Sequence, residues 1–229
     1  MSTLYIDIET FGTEDAEIIN WLREQIKPPA NYSKPETIKK WIEENFDAEL
    51  NNAIRKTALD ALYGSIISIA WALDDEPVKC FLRERGESES LLLSSFMSNL
   101  SDLKDNYNNR VDRVVWCGHY ISRFDLRFIW QRCVINRVEP TIRIPYDAKP
   151  WDDCIFDTQM EWTGGSSQYS GASKLSAMSP IFGLNKLDIN GSMVHDMYLS
   201  GKYAEIVKYN KQDVEDVRIL HKRMTFQGQ

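Results

Sequence analysis

The segment LYIDIETFG, residues 4–12, restricts the possible folds more than any other stretch of the chain. Tyr5, Ile6 and Ile8 give it the apolar character of a core strand. Successive side chains on a strand point to opposite faces, so Asp7 and Glu9 emerge on the same side. Two carboxylates a few ångströms apart repel each other unless a cation lies between them. The strand therefore belongs to a sheet that carries an unbalanced acidic pair.

The rest of the pattern fits an α/β protein. A first strand over 3–8 leads through the proline-containing KPPANYSKP (27–35) into a helical stretch from about Glu36 to Leu59. GSIISIAWAL (64–73), PVKCFL (77–82) and VDRVVWCGH (111–119) read as strands, and CIFDT as a fifth. ESESLLLSSFMSNLSDL has helical periodicity, and so does SRFDLRFIWQRCVI, with Phe124, Phe128, Ile129 and Cys133 on its apolar face. Residues 162–191 are rich in Gly, Ser and Pro and read as loops around short helices. KYAEIVKYNKQDVEDVRILHKRM closes the chain as a helix with an expected break near Tyr209. Strands interleaved with helices give a mixed sheet flanked by helices. At 229 residues, a single domain over 1–229 with a helical insertion over 13–62 is the expected organisation.

Composition narrows the setting. The longest apolar run, IISIAWAL, is far shorter than a membrane span, and MSTLYIDIET has neither the basic start nor the apolar stretch of a secretory signal. A cytoplasmic protein that does not enter membranes is expected. Cys80, Cys117, Cys133 and Cys154 show no C-x-x-C spacing and read as free, buried thiols rather than zinc ligands. The net charge of −7 excludes coating of nucleic acid by bulk electrostatics. It leaves room for a nuclease, whose metal-binding carboxylates are themselves acidic.

Three short patterns follow in order: D-x-E at Asp7 and Glu9, F-D at Phe124 and Asp125, and Y-x-x-x-D at Tyr209 and Asp213. Each is common by chance, and context gives them weight. The first lies on a core strand, Asp125 opens a helix just beyond a buried strand, and Tyr209 and Asp213 share one helix face. Four carboxylates converging on a sheet form an all-oxygen site suited to hard divalent cations such as Mg²⁺ or Mn²⁺.

LYIDIET, GHYISRFDL and YNKQDVEDVRIL resemble the three exonuclease motifs of the DEDD 3′–5′ exonucleases, tyrosine subclass. They are most similar to the proofreading domains of family B DNA polymerases and to stand-alone relatives of phages and prophages. KPETIKKWIEE, RKTALDALYGSIISIAWA and NGSMVHDMYLSGKYAEIVKYN resemble those relatives too, so the likeness spans most of the chain. One departure is Tyr120, where the family usually has Asn four residues before the motif's Phe.

The resemblance implies a ribonuclease-H-like fold and a two-metal 3′–5′ exodeoxyribonuclease using Mg²⁺ or Mn²⁺. Asp7 would bridge both ions, Glu9 and Asp213 would complete one site, and Asp125 would hold the other. Tyr209 would orient the attacking water, and the product would be a nucleoside 5′-monophosphate. The implied substrate is a single-stranded DNA 3′ end in a bacterium or phage-infected host, with a replication or recombination protein as a candidate partner. Thr10, Phe11, Tyr120, Arg123 and Arg127 are candidate substrate contacts, since single strands are held by aromatic faces and cations. Packing is the plainer reading of an aromatic beside a core strand, and solvation that of an arginine on a helix.

Other residues receive structural readings. His119, His195 and His221 read as structural, and Trp41, Trp71, Trp116 and Trp130 as core. Asp157 suits a capping or loop-anchoring role, or support of the site, and Glu215 and Asp216 read as a solvated face. Position 208, where the histidine subclass carries its His, is Lys208. An exoribonuclease of the same chemistry and a non-catalytic module that binds single strands or a replication partner are the alternatives.

Overall fold

In a computed structural model, the described residues are 1–103, 114–149, 151–165, 173–184 and 189–227. β1 (Ser2–Phe11) is followed by α1 (Ala16–Gln25), α2 (Pro35–Lys56) and a 3₁₀ turn (Thr57–Leu59). Next come β2 (Ser65–Leu73), β3 (Lys79–Leu82), α3 (Glu89–Ser101), β4 (Val114–Gly118), α4 (Asp125–Asn136), β5 (Ile155–Asp157) and α5 (Thr158–Trp162). α6 (Leu175–Phe182), α7 (Gly191–Leu199) and α8 (Tyr203–Met224) complete the order. The chain divides into two compact units, Met1–Glu9 with Ile66–Gln229, and Thr10–Ser65.

The strands form one sheet in the order β3-β2-β1-β4-β5. β4 runs parallel to both β1 and β5, while β2 and β3 are antiparallel. This mixed, helix-flanked sheet with helices after its first strand is the ribonuclease-H-like architecture expected above. Residues 111–113 of the expected fourth strand lie outside the described residues.

Side-chain size decides which helix approaches which face. Tyr5 of β1, Ala70 and Ala72 of β2 and Cys117 of β4 cluster with Val214 and Val217 of α8. Apart from Tyr5 these strand residues are small, so α8 can lie close against the face that also carries Asp7 and Glu9. On the opposite face Trp71 meets Phe96 of α3, ring centroids 5.2 Å apart.

α3 and α4 are joined by a buried ion pair. Arg132 donates through Nε and Nη2 to Glu89, which also accepts from Asn136 Nδ2 and from the Ile66 amide at 2.7 Å. One carboxylate thus fixes α3, α4 and the start of β2 together, and α4 is the helix that begins at Asp125.

In the second unit, Asp15 caps α1 by accepting from the amides of Glu17 and Ile18. Thr57 Oγ1 accepts from the Thr13 amide and donates to the Ile54 carbonyl. Gly12 is required there, because a Cβ at that position would stand 2.3 Å from the Ile54 carbonyl oxygen.

Three expectations need correction. The break near Tyr209 is absent: α8 is continuous, and within its polar KYNKQD run Asn210 is buried against Asp7 and Ser68 of the sheet. Cys154 is exposed, while Cys117 and Cys133 are buried and Cys80 is half-buried. Trp41 and Trp130 are half-buried, unlike the enclosed Trp71 and Trp116.

Glu89→Ala removes the acceptor shared by Arg132, Asn136 and Ile66 and leaves a guanidinium buried without that carboxylate. The expected loss is about 3–5 kcal/mol of unfolding free energy, read from urea denaturation curves.

Candidate metal centre

β1 extends beyond its partner. Its pairing with β4 runs from Ser2 opposite Val114 to Tyr5 opposite Cys117, and β4 ends at Gly118. The later β1 amides on that edge need another acceptor. Asp125 provides it, with Oδ1 3.2 Å from the Ile8 amide. The first residue of α4 is thereby fixed to the backbone between Asp7 and Glu9.

From the other side α8 presents Asn210 and Asp213 one turn apart. Asn210 is fully buried and donates from Nδ2 to Asp7 Oδ2 at 2.6 Å. Its amide is oriented in turn by Ser68, which donates to Asn210 Oδ1 at 3.0 Å. Tyr209 lies close enough to Asp213 for its phenol to oppose the rise in that carboxyl's pKa. Asn210 escaped the sequence reading, and the available signal was an amide beside Tyr209 on the helix face that also carries Asp213.

One carboxylate oxygen each from Asp7, Glu9 and Asp213 lie within 4.8 Å of one another. Oxygens that share an ion at about 2.0–2.6 Å stand no more than about 4–5 Å apart, so this spacing suits a hard divalent cation. Asp125 is outside that trio but close enough to raise the pKa of both Asp7 and Glu9.

The electrostatics agree with the geometry. Asp7 keeps an open edge, yet burial pushes its carboxyl well above the usual range, with repulsion from Asp213, Asp125 and Glu9 adding to it. Glu9 is raised for the same reasons, burial first and then Asp213 and Asp125. Burial lifts Asp125 to about 7 against the pull of its own amide and that of Ile8. Asp213 is also lifted to about 7 by burial, opposed by the Tyr209 phenol. Burial, then Asp213, raises Tyr209. The named groups favouring the charged carboxylates are neutral amides and a phenol, so the donor set has the chemistry of a cation site.

Asp157 holds the approach to Asp125. Placed beside Gly118 by the β4–β5 register, it accepts from the amides of Tyr120, Ser122, Gln159 and Met160 and from Ser122 Oγ. It caps α5 and clamps the loop before α4, the anchoring role read from the sequence. Tyr120 sits in that loop at φ 66, the left-handed region where Asn is tolerated far better than Tyr. The backbone therefore accounts for the residue type that this chain lacks.

The other candidates divide. Tyr120, Arg123 and Arg127 are exposed, while Phe11 is 3% exposed, so it offers no ring face and packing accounts for it. Thr10 Oγ1 donates to the Ala58 carbonyl. His119 meets Thr158 Oγ1 at 3.0 Å, and His221 meets the Tyr5 hydroxyl at 2.7 Å, as structural histidines. Asp216 is not solvated: it is 3% exposed and accepts from Gln212, while Glu215 pairs with Arg218.

A family model described as "Predicted 3'-5' exonuclease related to the exonuclease domain of PolB" matches residues 59–229. The family B DNA polymerase of the hyperthermophilic archaeon Pyrobaculum calidifontis is similar in fold, with a TM-score of 0.56 at 13% identity. The match covers 98% of this chain and 24% of the polymerase, so the chain spans about a quarter of that relative. No curated protein matches the chain. Among the described residues no helix is long and apolar enough to cross a membrane.

Asp213 tests the electrostatics. Its pKa rises from the ordinary range near 4 in the unfolded chain to about 7 in the fold, so its ionisation disfavours folding as pH climbs through that interval. In chelator, Asp213→Asn should melt at a higher temperature than the parent at pH 8 and at nearly the same temperature at pH 4, as followed by circular dichroism. Tyr120→Asn relieves left-handed strain and is expected to be at least as stable as the parent in the same melts.

Proposed function

Because this chain belongs to the family described as predicted 3′–5′ exonucleases related to the exonuclease domain of PolB, we propose that it removes nucleotides from the 3′ end of single-stranded DNA by a two-metal reaction. The observation that carries the proposal is the approach of the Asp7, Glu9 and Asp213 oxygens to within 4.8 Å, with the Tyr209 phenol beside Asp213. On this reading the whole chain is one exonuclease domain, with residues 13–62 inserted.

Asp7, Glu9 and Asp213 would hold one divalent cation, and Asp125 with Asp7 a second, either Mg²⁺ or Mn²⁺. The chemistry supplied by such cations is Lewis-acid stabilisation of the attacking and leaving oxygens of an in-line displacement. The chain's own residues do the positioning. Asn210 fixes the rotamer of Asp7 through a bond that is itself anchored on Ser68. The amide of Ile8 holds Asp125 at the same strand.

Tyr209 keeps its proton, since burial and the surrounding carboxylates oppose its ionisation. Its phenol therefore orients the attacking water by hydrogen bonding and does not act as the base. A tyrosine four residues before Asp213 supports the reading of the tyrosine subclass. Attack on the last phosphodiester releases a nucleoside 5′-monophosphate. Tyr120, Arg123 and Arg127 are the exposed side chains next to Asp125 that would meet the strand.

A 5′-labelled oligodeoxynucleotide incubated with Mg²⁺ or Mn²⁺ should give a ladder shortening from the 3′ end, abolished by chelator. Asp7→Ala should lower the rate about 100-fold or more, and Tyr209→Phe about 10-fold to 100-fold. Normal digestion by Asp7→Ala contradicts the assignment. An RNA oligonucleotide run in parallel distinguishes the sugar, and preferential cleavage of RNA overturns the DNA reading.

A further inference from the structure

Beside the N-terminal half of α4 lies a groove of about 360 Å³ that the carboxylate cluster does not explain. Arg123 and Arg127 line it together with Tyr146, Asp147, Lys149 and Trp151. Its charge runs against the molecule as a whole: three cations border it in a chain of net charge −7. The acid among its lining residues, Asp147, is matched by Arg143 at 3.5 Å. Asp152 is engaged at the turn below, where its carboxylate accepts from the Lys149 amide at 2.8 Å.

The aromatic content is just as specific. Trp151 is 77% exposed, a costly placement for an indole with no apolar ligand. Tyr146 is held with its ring stacked on Trp130, centroids 4.0 Å apart, so its position at the groove is set in advance. Cations that can follow a phosphate backbone, set among aromatic rings that can receive bases, are the elements of a single-strand platform. Arg123 and Arg127 lie two residues to either side of Asp125 in the sequence, so the groove borders the helix that begins at that carboxylate.

We infer that this groove, with Trp151 as a base-stacking residue and Arg123, Arg127 and Lys149 as phosphate contacts, holds the single-stranded DNA upstream of the bond that is cut. The inference deepens the proposed function and rests on it for the identity of the strand. It adds Tyr146, Lys149 and Trp151, which follow α4 in sequence and carry no metal-binding chemistry.

The test is binding of a fluorescein-labelled oligothymidylate of about 12 nucleotides, within the usual span of a single-strand site, followed by anisotropy in chelator so that nothing is cut, across a salt series. Wild-type protein should bind with an affinity that falls as salt rises. Trp151→Ala should weaken binding about 5-fold to 100-fold. Arg127→Glu combined with Lys149→Glu should lower the slope of log affinity against log salt by about 0.7 for each phosphate that is no longer neutralised. All these positions are on the surface, and unchanged melting curves will confirm that the variants fold. Variants that match wild type in affinity and slope overturn the inference, as does a wild-type protein that does not bind the strand. Cleavage with Mn²⁺ separates the two proposals. Binding through these residues without cleavage refutes the nuclease reading and leaves the groove in place, whereas cleavage with unaffected variants does the reverse.

Discussion

Repulsion among Asp7, Glu9, Asp125 and Asp213 is the constraint on which the rest of the structure depends. Burial raises all of them, and Asp213, Asp125 and Glu9 each add to the unfavourable ionisation of Asp7. A fold without use for this cluster would be more stable with amides or apolar residues in these places. Instead, elements from distant parts of the chain are arranged to keep the acids together. Small residues on β2 and β4 admit α8 to the acidic face of β1. The early end of β4 leaves the Ile8 amide to Asp125. Asn210 is fully buried in order to reach Asp7.

The supporting contacts form a hierarchy. Glu89 fixes the body of α4 to α3 and to β2, so the helix that begins at Asp125 cannot drift along its axis. Asp157 fixes the loop that enters the same helix, with five donors on one carboxylate. These two acids have no part in the proposed chemistry, yet their burial and full hydrogen bonding determine where Asp125 points. Networks of this kind hold a reacting group in place because a partly satisfied buried carboxylate is so unfavourable.

Much of this was legible in the sequence, for definite reasons. Strand alternation alone placed Asp7 and Glu9 on one face, and helical spacing placed Tyr209 beside Asp213. The buried strands announced themselves as apolar runs, VVWCG and IISIAWAL among them. What stayed hidden was set by tertiary packing. Asp216 looks solvated by its charge but is enclosed, because α8 is surrounded on several sides by β3, β4, α5, α6 and α7. Asn210 shares a helix face with Asp213, but its role shows only once Ser68 and Asp7 are seen on either side of it. Trp151 was equally silent, since an exposed indole and a buried one look the same in a sequence.

The central claim is that this acidic cluster exists to hold divalent cations. It is tested most directly by diffraction from crystals soaked in Mn²⁺, with data collected where manganese scatters anomalously. The account predicts an anomalous peak within coordination distance of Asp7, Glu9 and Asp213, and a second beside Asp125 and Asp7. A map at full Mn²⁺ occupancy elsewhere in the crystal with no density among these side chains would contradict it.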